Sequence, residues 1–174
     1  PPAIDNLRRL LPHVDTSIRY MTSLLQHIAD MQQFRTSARR PLVVRVYSFS
    51  YKKGIPDDES GNGGGFVFDM RAVNNPGKYD RYAGMTGLDK PVIDFLESDG
   101  EIVRFLNHAY ELVDASVNRY MQRGFEHLML CFGCTGGRHR SVYAAQHTAE
   151  HIHQKFGIEV HIIHREHNLT STLK

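Results

Sequence analysis

The 174-residue sequence predicts an α/β fold: a small, mostly parallel sheet with flanking helices, plus an N-terminal helical arm. Three observations carry this expectation. "PLVVRVYSFS" is β-branched and aromatic, as a buried strand from Leu42 to Phe49 requires. Glu101 to Gln122 sets Ile102, Val103, Leu106, Ala109, Tyr110, Val113 and Val117 on one face of a long amphipathic helix, closed by Gly124. Finally, "FEHLMLCFG", the helix from about Arg138 to Phe156 and "IEVHIIH" run strand, helix, strand. That order implies a parallel pair with a right-handed crossover, in the Rossmann manner.

The other elements follow in chain order. From Ile4 to about Met31, apolar residues recur at three- and four-residue steps and predict one kinked helix or two short ones. Pro12 marks the break, with Asp15 or Thr16 as the second cap. "RTSARRP" then separates a first segment, 1–40, from the main domain, 41–174; the arm either packs on that domain or is the tail of an upstream one. After the first strand, "YKKGIPDDESGNGGG" has the composition of a mobile loop. A short strand is expected at Phe66 to Asp69 and an irregular stretch from Arg71 to Gly87. Asp89, before Lys90-Pro91, reads as the N-cap of a helix starting near Val92. The two remaining strands run from His127 to Phe132 and from Glu159 to His164.

Composition bounds the function. About two fifths hydrophobic and a quarter charged residues describe an ordinary globular chain, and no run is long enough to span a bilayer. No membrane partner is therefore expected. The two cysteines, Cys131 and Cys134, are too close to frame a disulfide scaffold, which makes the cytoplasm the default compartment. A net charge of +2 does not by itself announce a nucleic-acid binder. The Pro1-Pro2 start suggests a fragment or a processed chain.

The chemistry gathers in "CFGCTGGRHRSVYAAQH". Arg138, His139 and Arg140 stand where a helix begins, and that end already carries about half a positive charge. Something negative belongs there. The turn Cys134-Thr135-Gly136-Gly137 lets the backbone approach a ligand and turn its N–H groups inward, with the helix pole behind it. A phosphate or carboxylate would satisfy these donors, gripped by Arg140, charged by Arg138 or His139, and hydrogen-bonded by Thr135 or Ser141. The alternative is a tight strand-to-helix turn with solvated arginines.

Two enzyme readings compete. C-x-x-G-x-x-R-S matches the loop of cysteine phosphatases, with Cys134 as nucleophile and Arg140 as clamp. Gly133 stands where that family has histidine, and Asp57, Asp58 or Asp80 would have to supply the acid. His147, Glu150 and His151 match H-x-x-E-H, a zinc-peptidase pattern needing a third ligand such as Glu159 or Glu166. The favoured expectation is no catalysis, no metal and no cofactor.

Several ordered pieces resemble one family. "GCTGGRHRSVY" is similar to the Cys-Thr-Gly-Gly-Lys-His-Arg-Ser-Val signature of the C-terminal domain of RapZ, the bacterial RNase adapter protein. "YSFSYKKGIP", "FVFDMRAVNNP" and "TGLDKPV" resemble further motifs of that domain in the right order, and the likeness covers about Leu42 to Arg165. Arg138 replaces a lysine, Ser50 replaces a glycine, and "HREHNLTSTLK" only loosely resembles the family's basic tail.

The resemblance implies an α/β phosphate-binding domain without phosphatase chemistry, whose ligand is the amino-sugar phosphate glucosamine-6-phosphate and whose second partner is small regulatory RNA. Carried over, the pocket comprises Cys134, Thr135, Gly136, Gly137, Arg138, His139, Arg140 and Ser141, with Lys52, Lys53, Asp69, Arg71 and Asn75 on facing loops. The G-x-x-x-x-G-K-[ST] loop of the family's nucleotide-binding half is not in this sequence. Such domains also occur behind small-molecule kinases. An accessory role to a sugar kinase is thus an alternative, and an upstream kinase-like domain or a homo-oligomer are further partner expectations.

Overall fold

Two adjacent strands, Val43–Ser50 and His127–Cys134, carry apolar side chains on both faces, and the fold is built to cover them unequally. In the computed structural model, residue 4, residues 13–26, residue 28 and residues 41–174 are described. The chain divides into two units, Pro1–Arg39 and Arg40–Lys174, each taken by itself. In the first, residues 13–26 are helical. His13 and Val14 already belong to that helix, so Asp15 and Thr16 lie inside it instead of capping it, and Asp15 pairs with Arg19 one turn on at 2.9 Å. Pro12 and the Arg39-Arg40 junction lie outside the described residues.

The second unit holds a five-stranded sheet: β1 (Val43–Ser50), β2 (Phe66–Asp69), β3 (His127–Cys134), β4 (Glu159–His164) and β5 (Leu169–Leu173). The spatial order is β2-β3-β1-β4-β5. The first four strands are parallel, and β5 runs antiparallel along β4. Three helices complete it: α1 (Lys90–Glu97), α2 (Glu101–Arg123) and α3 (Arg140–Phe156). Gly124 and Gly157 end α2 and α3 in the left-handed region, at φ 70 and 62.

Strand alternation sorts the core. Val44, Val46, Leu130, Phe132, Val160 and Ile162 face one side and join Val92, Leu96, Ile102, Val113, Ala149 and Ile152 of the helices in the main core. Burying such side chains stabilises by about 1.5–3 kcal/mol each. On the other side Tyr47, Phe49, Met129 and Cys131 form a second cluster, against which Tyr51 and Ile163 pack and to which none of α1, α2 and α3 contributes. The segment after β1 reaches that side: Gly54 offers its carbonyl to Arg165 at 2.7 Å, and the charges of Asp58 and Glu59 act on Tyr47. The chain thus leaves β1 on one side of the sheet and leaves β3 through α3 on the other. Adjacent parallel strands whose connections diverge open a crevice at their carboxyl ends. Here that crevice lies at the paired residues Ser50 and Cys134.

The structure adjusts several sequence expectations. β3 runs two residues further than its apolar stretch, so Cys134 is the last strand residue and not part of the loop. Asp89 stands at the N-cap position of α1, but its carboxylate makes no cap bond there; it accepts from the N–H and hydroxyl of Thr86, closing the preceding turn. β5 was not expected at all.

Candidate functional site

Residues 135–139 bridge the end of β3 to α3, and the bonds that fix this turn come from four directions. From β1, the Ser50 hydroxyl donates to the Thr135 carbonyl at 2.8 Å and accepts the Lys52 N–H at 3.2 Å, which starts a one-turn helix, Tyr51–Lys53. The serine that departs from the resembled motif thus closes the turn. From the segment before α1, the Gly87 N–H donates to the Arg138 carbonyl at 3.0 Å. From the irregular stretch after β2, the carbonyls of Arg71 and Val73 each accept from Nη1 of Arg140 at 2.9 Å. From the tail, the Glu166 carboxylate accepts the Ser50 N–H at 3.3 Å and pairs with Lys53 at 2.5 Å and Arg165 at 3.1 Å.

A cavity of about 330 Å³ opens on the turn, lined by Asn75, Gly77 and Ala83 on one side and by Cys134, Thr135, Gly136, Arg138, His139 and Arg140 on the other. Arg140 is 4% exposed, and its Nε is a buried donor without a hydrogen-bond partner. An unspent donor on a buried cation is costly unless an acceptor meets it. Arg138, by contrast, is exposed at the rim. No Asp or Glu is among the lining residues.

The ring of His139 is fixed by Nε2, which donates to the Tyr82 carbonyl at 3.2 Å. Burial pushes its pKa down, and the neighbouring Arg138 and Arg140 push the same way. The expected charge at this position is therefore absent at neutral pH: His139 serves as a neutral wall, and the arginines carry the cationic character. Cys134 is buried with its Sγ 3.2 Å from the Ser141 hydroxyl. Burial alone would raise its pKa. Hydrogen bonds from the Ser141 side chain and from the Ser141 and Gly137 N–H groups outweigh that, with help from Arg140, and hold it below the ordinary thiol value.

Other expected residues sit differently. Gly137, at φ 68, turns toward Glu166 and is not among the lining residues. Lys53 is engaged by Glu166, while Lys52 is exposed on the one-turn helix. Asp69 is chelated by Arg71 through Nε at 2.9 Å and Nη2 at 2.6 Å, which holds its carboxyl below the usual range. The Arg71 guanidinium lies 4.0 Å over the Tyr51 ring. Neither Asp69 nor Arg71 lines the cavity; Arg71 serves it through its carbonyl.

The phosphatase constellation is incomplete. A Cβ on Gly133 would overlap the rings of Phe49 and Tyr51, so no histidine fits before the cysteine. Asp58 is tied into a turn by Ser60 and Gly64, its pKa held at about 2 by those hydrogen bonds, and neither Asp57 nor Asp80 lines the cavity. The zinc pattern also dissolves. His151 bonds Asp114 at 2.9 Å and stacks on Tyr110, His147 packs on Tyr143, and Glu159 pairs with His161. Among the described residues no group of three His, Cys, Asp or Glu side chains suits a metal, and no helix is long and apolar enough to cross a membrane.

The family model of the RapZ C-terminal domain matches residues 42–168. A nucleotide-binding protein of Xylella fastidiosa strain M12 is 33% identical over 153 residues, covering 88% of this chain and 50% of its own length. One from Glaesserella parasuis serovar 5 is 38% identical over 128 residues, 74% of this chain and 43% of its own. A third, from Xanthomonas euvesicatoria, is 31% identical over 153 residues, 88% and 52% respectively. The chain spans about half the length of these curated relatives.

Proposed function

The chain belongs to the RapZ C-terminal domain family, and on that premise we propose that it is a non-catalytic binding module for a phosphorylated small molecule of the amino-sugar phosphate type. The observation that carries this reading is the buried Arg140 side chain, with an unpartnered Nε, in the wall of a cavity that has two arginines and no carboxylate. A phosphate oxygen supplies the acceptor that this donor lacks, and the start of α3 adds its positive pole. Glucosamine-6-phosphate is the ligand that family membership favours.

The test is a thermal-shift series with glucosamine-6-phosphate, glucosamine and inorganic phosphate. At a hundredfold excess over Kd, a ligand of the folded state adds about 2.7 kcal/mol, or roughly 5 to 10 °C for a chain of this size. The shift is expected with the phosphorylated compounds and reduced in Arg138→Gln, a rim variant that leaves the buried bonds intact. No shift with any phosphorylated compound would sink the reading.

A second function, RNA binding, is favoured by exposed cations at the same sheet edge: Lys52, Arg71 stacked on Tyr51, and Arg138. It predicts an affinity that falls steeply as salt rises. A gel shift insensitive to salt, or none, would remove it.

A further inference from the structure

The two cysteines of β3 end in opposite surroundings. Cys131 joins Tyr47, Phe49 and Met129 on one side of the sheet, where burial pushes its pKa up to about 12. Cys134 lies on the other side, in the wall of the 330 Å³ cavity on the turn. There burial also pushes the thiol up, but the Ser141 hydroxyl, the Ser141 and Gly137 N–H groups and the Arg140 charge together hold it below the ordinary thiol value. The thiolate is the reactive form of a cysteine, so these neighbours favour reaction at Cys134 and burial disfavours it at Cys131.

Phosphate binding makes no use of this sulfur. A phosphate needs donors, and a sulfur that accepts hydrogen bonds offers it none. A second observation points to what the sulfur can become. Arg140, in the same wall, is 4% exposed and its Nε lacks an acceptor. Oxidation converts a thiolate into an acid whose oxygen is such an acceptor.

We propose that Cys134 is a site of reversible oxidation by hydroperoxides, and that its sulfenate oxygen takes the acceptor position beside Arg140 that a bound anion would otherwise fill. The thiolate sulfur attacks the terminal peroxide oxygen, and the S–O bond forms as the O–O bond breaks. Sulfur loses two electrons and the peroxide gains them, leaving as an alkoxide or hydroxide that takes a proton from solvent. Beside the guanidinium the sulfenic acid gives up its proton. Cys131 cannot capture it as a disulfide, because the two side chains lie on opposite sides of the sheet. Reduction therefore falls to a small dithiol, which returns the thiol, releases water and leaves as its own disulfide. Displacement of a bound anion rests on the anion reading of the cavity, whereas oxidation of the sulfur does not.

The experiment adds hydrogen peroxide to the wild type, Cys131→Ser and Cys134→Ser, with dimedone as the trap for sulfenic acid, and locates the label by peptide mass spectrometry. Label is expected on Cys134 in the wild type and Cys131→Ser, and none on Cys131. Inorganic phosphate at about ten times its Kd should slow labelling about tenfold, as competition for one cavity requires. In samples without the trap, calorimetric phosphate binding should be lost after peroxide and regained with dithiothreitol in the wild type and Cys131→Ser, and be indifferent to peroxide in Cys134→Ser. Cys134 left unlabelled, or labelled no faster than Cys131, overturns the oxidation site. A labelled Cys134 in a chain that binds phosphate equally well before and after peroxide overturns the displacement. Labelling of Cys134 in a chain that binds no phosphate upholds the oxidation site and sinks the anion reading alone.

Discussion

A Cβ on Gly137 would overlap the Cγ of Glu166. The turn between β3 and α3 is therefore moulded around a carboxylate from the tail, a group with the same sign of charge as the ligand proposed for that turn. The conflict is resolved locally: Glu166 is nearly buried and its charge is taken up by Lys53, Arg165 and the Ser50 N–H.

From this relationship we expect adjacent glycines to respond differently. Gly137→Ala must place a side chain at φ 68, at about 1 to 2 kcal/mol, and push Glu166 off its three partners as well. Gly136→Ala meets nothing within 4 Å and should cost under about 0.5 kcal/mol. Urea midpoints of the two variants check this; equal destabilisation would mean that Glu166 does not shape the turn.

Arg140 and Arg138 should separate stability from binding. Arg140→Ala leaves the carbonyls of Arg71 and Val73 without their shared donor, and an expected loss of about 2 to 4 kcal/mol follows. Arg140→Lys keeps the charge but not the planar fork, so it should recover only part of that. Arg138→Gln, at the exposed rim, should change stability by less than about 0.5 kcal/mol yet weaken phosphate binding. Chemical denaturation set beside calorimetry distinguishes the two roles.

The contrast also shows what a sequence can carry. α2 was legible because its apolar residues repeat at the helical period, the inner strands because they are short β-branched, aromatic or continuously apolar runs, and α1 because Asp89 precedes Lys90-Pro91. β5 was not: Leu169–Leu173 is an edge strand with four of five residues exposed, and Thr-Ser-Thr has no apolar face to read. Likewise the cationic turn was legible because its residues are contiguous. The carbonyls of Arg71, Val73 and Tyr82 were not, since backbone groups from an irregular segment leave no side-chain signature. Glu166 was visible as an acid, but only its position behind Gly137 shows that it shapes the turn.

Replacing the thiol tests the enzyme reading. Cys134→Ser keeps a hydrogen-bonding group beside Ser141, and the arginines are untouched, so phosphate affinity should stay within about threefold of wild type. Aryl-phosphate turnover should be negligible in both proteins, because the cavity lining contains no carboxylic acid to protonate a leaving group. Turnover by the wild type that vanishes in Cys134→Ser would reverse this conclusion.

The last prediction concerns pH. His164 is 1% exposed, its Nδ1 is 2.9 Å from the Ser48 hydroxyl, and burial, with a smaller effect of His167, pushes its pKa down to about 4. In the unfolded chain the same ring titrates near about 6.5. Between those values the unfolded state binds a proton that the folded state refuses, so stability is complete above about pH 6.5 and falls as pH drops toward 4. The slope approaches about 1.4 kcal/mol per pH unit, and His139, displaced in the same direction, steepens it. Carboxylate protonation contributes mainly below about pH 5, so the interval from 6.5 to 5 isolates the histidines. Urea unfolding at pH 7.5, 6.5, 5.8 and 5.0 should show falling midpoints in wild type and a shallower fall in His164→Gln. A flat wild-type profile across that interval would mean that the ring accepts its proton inside the fold, and that burial does not hold it neutral.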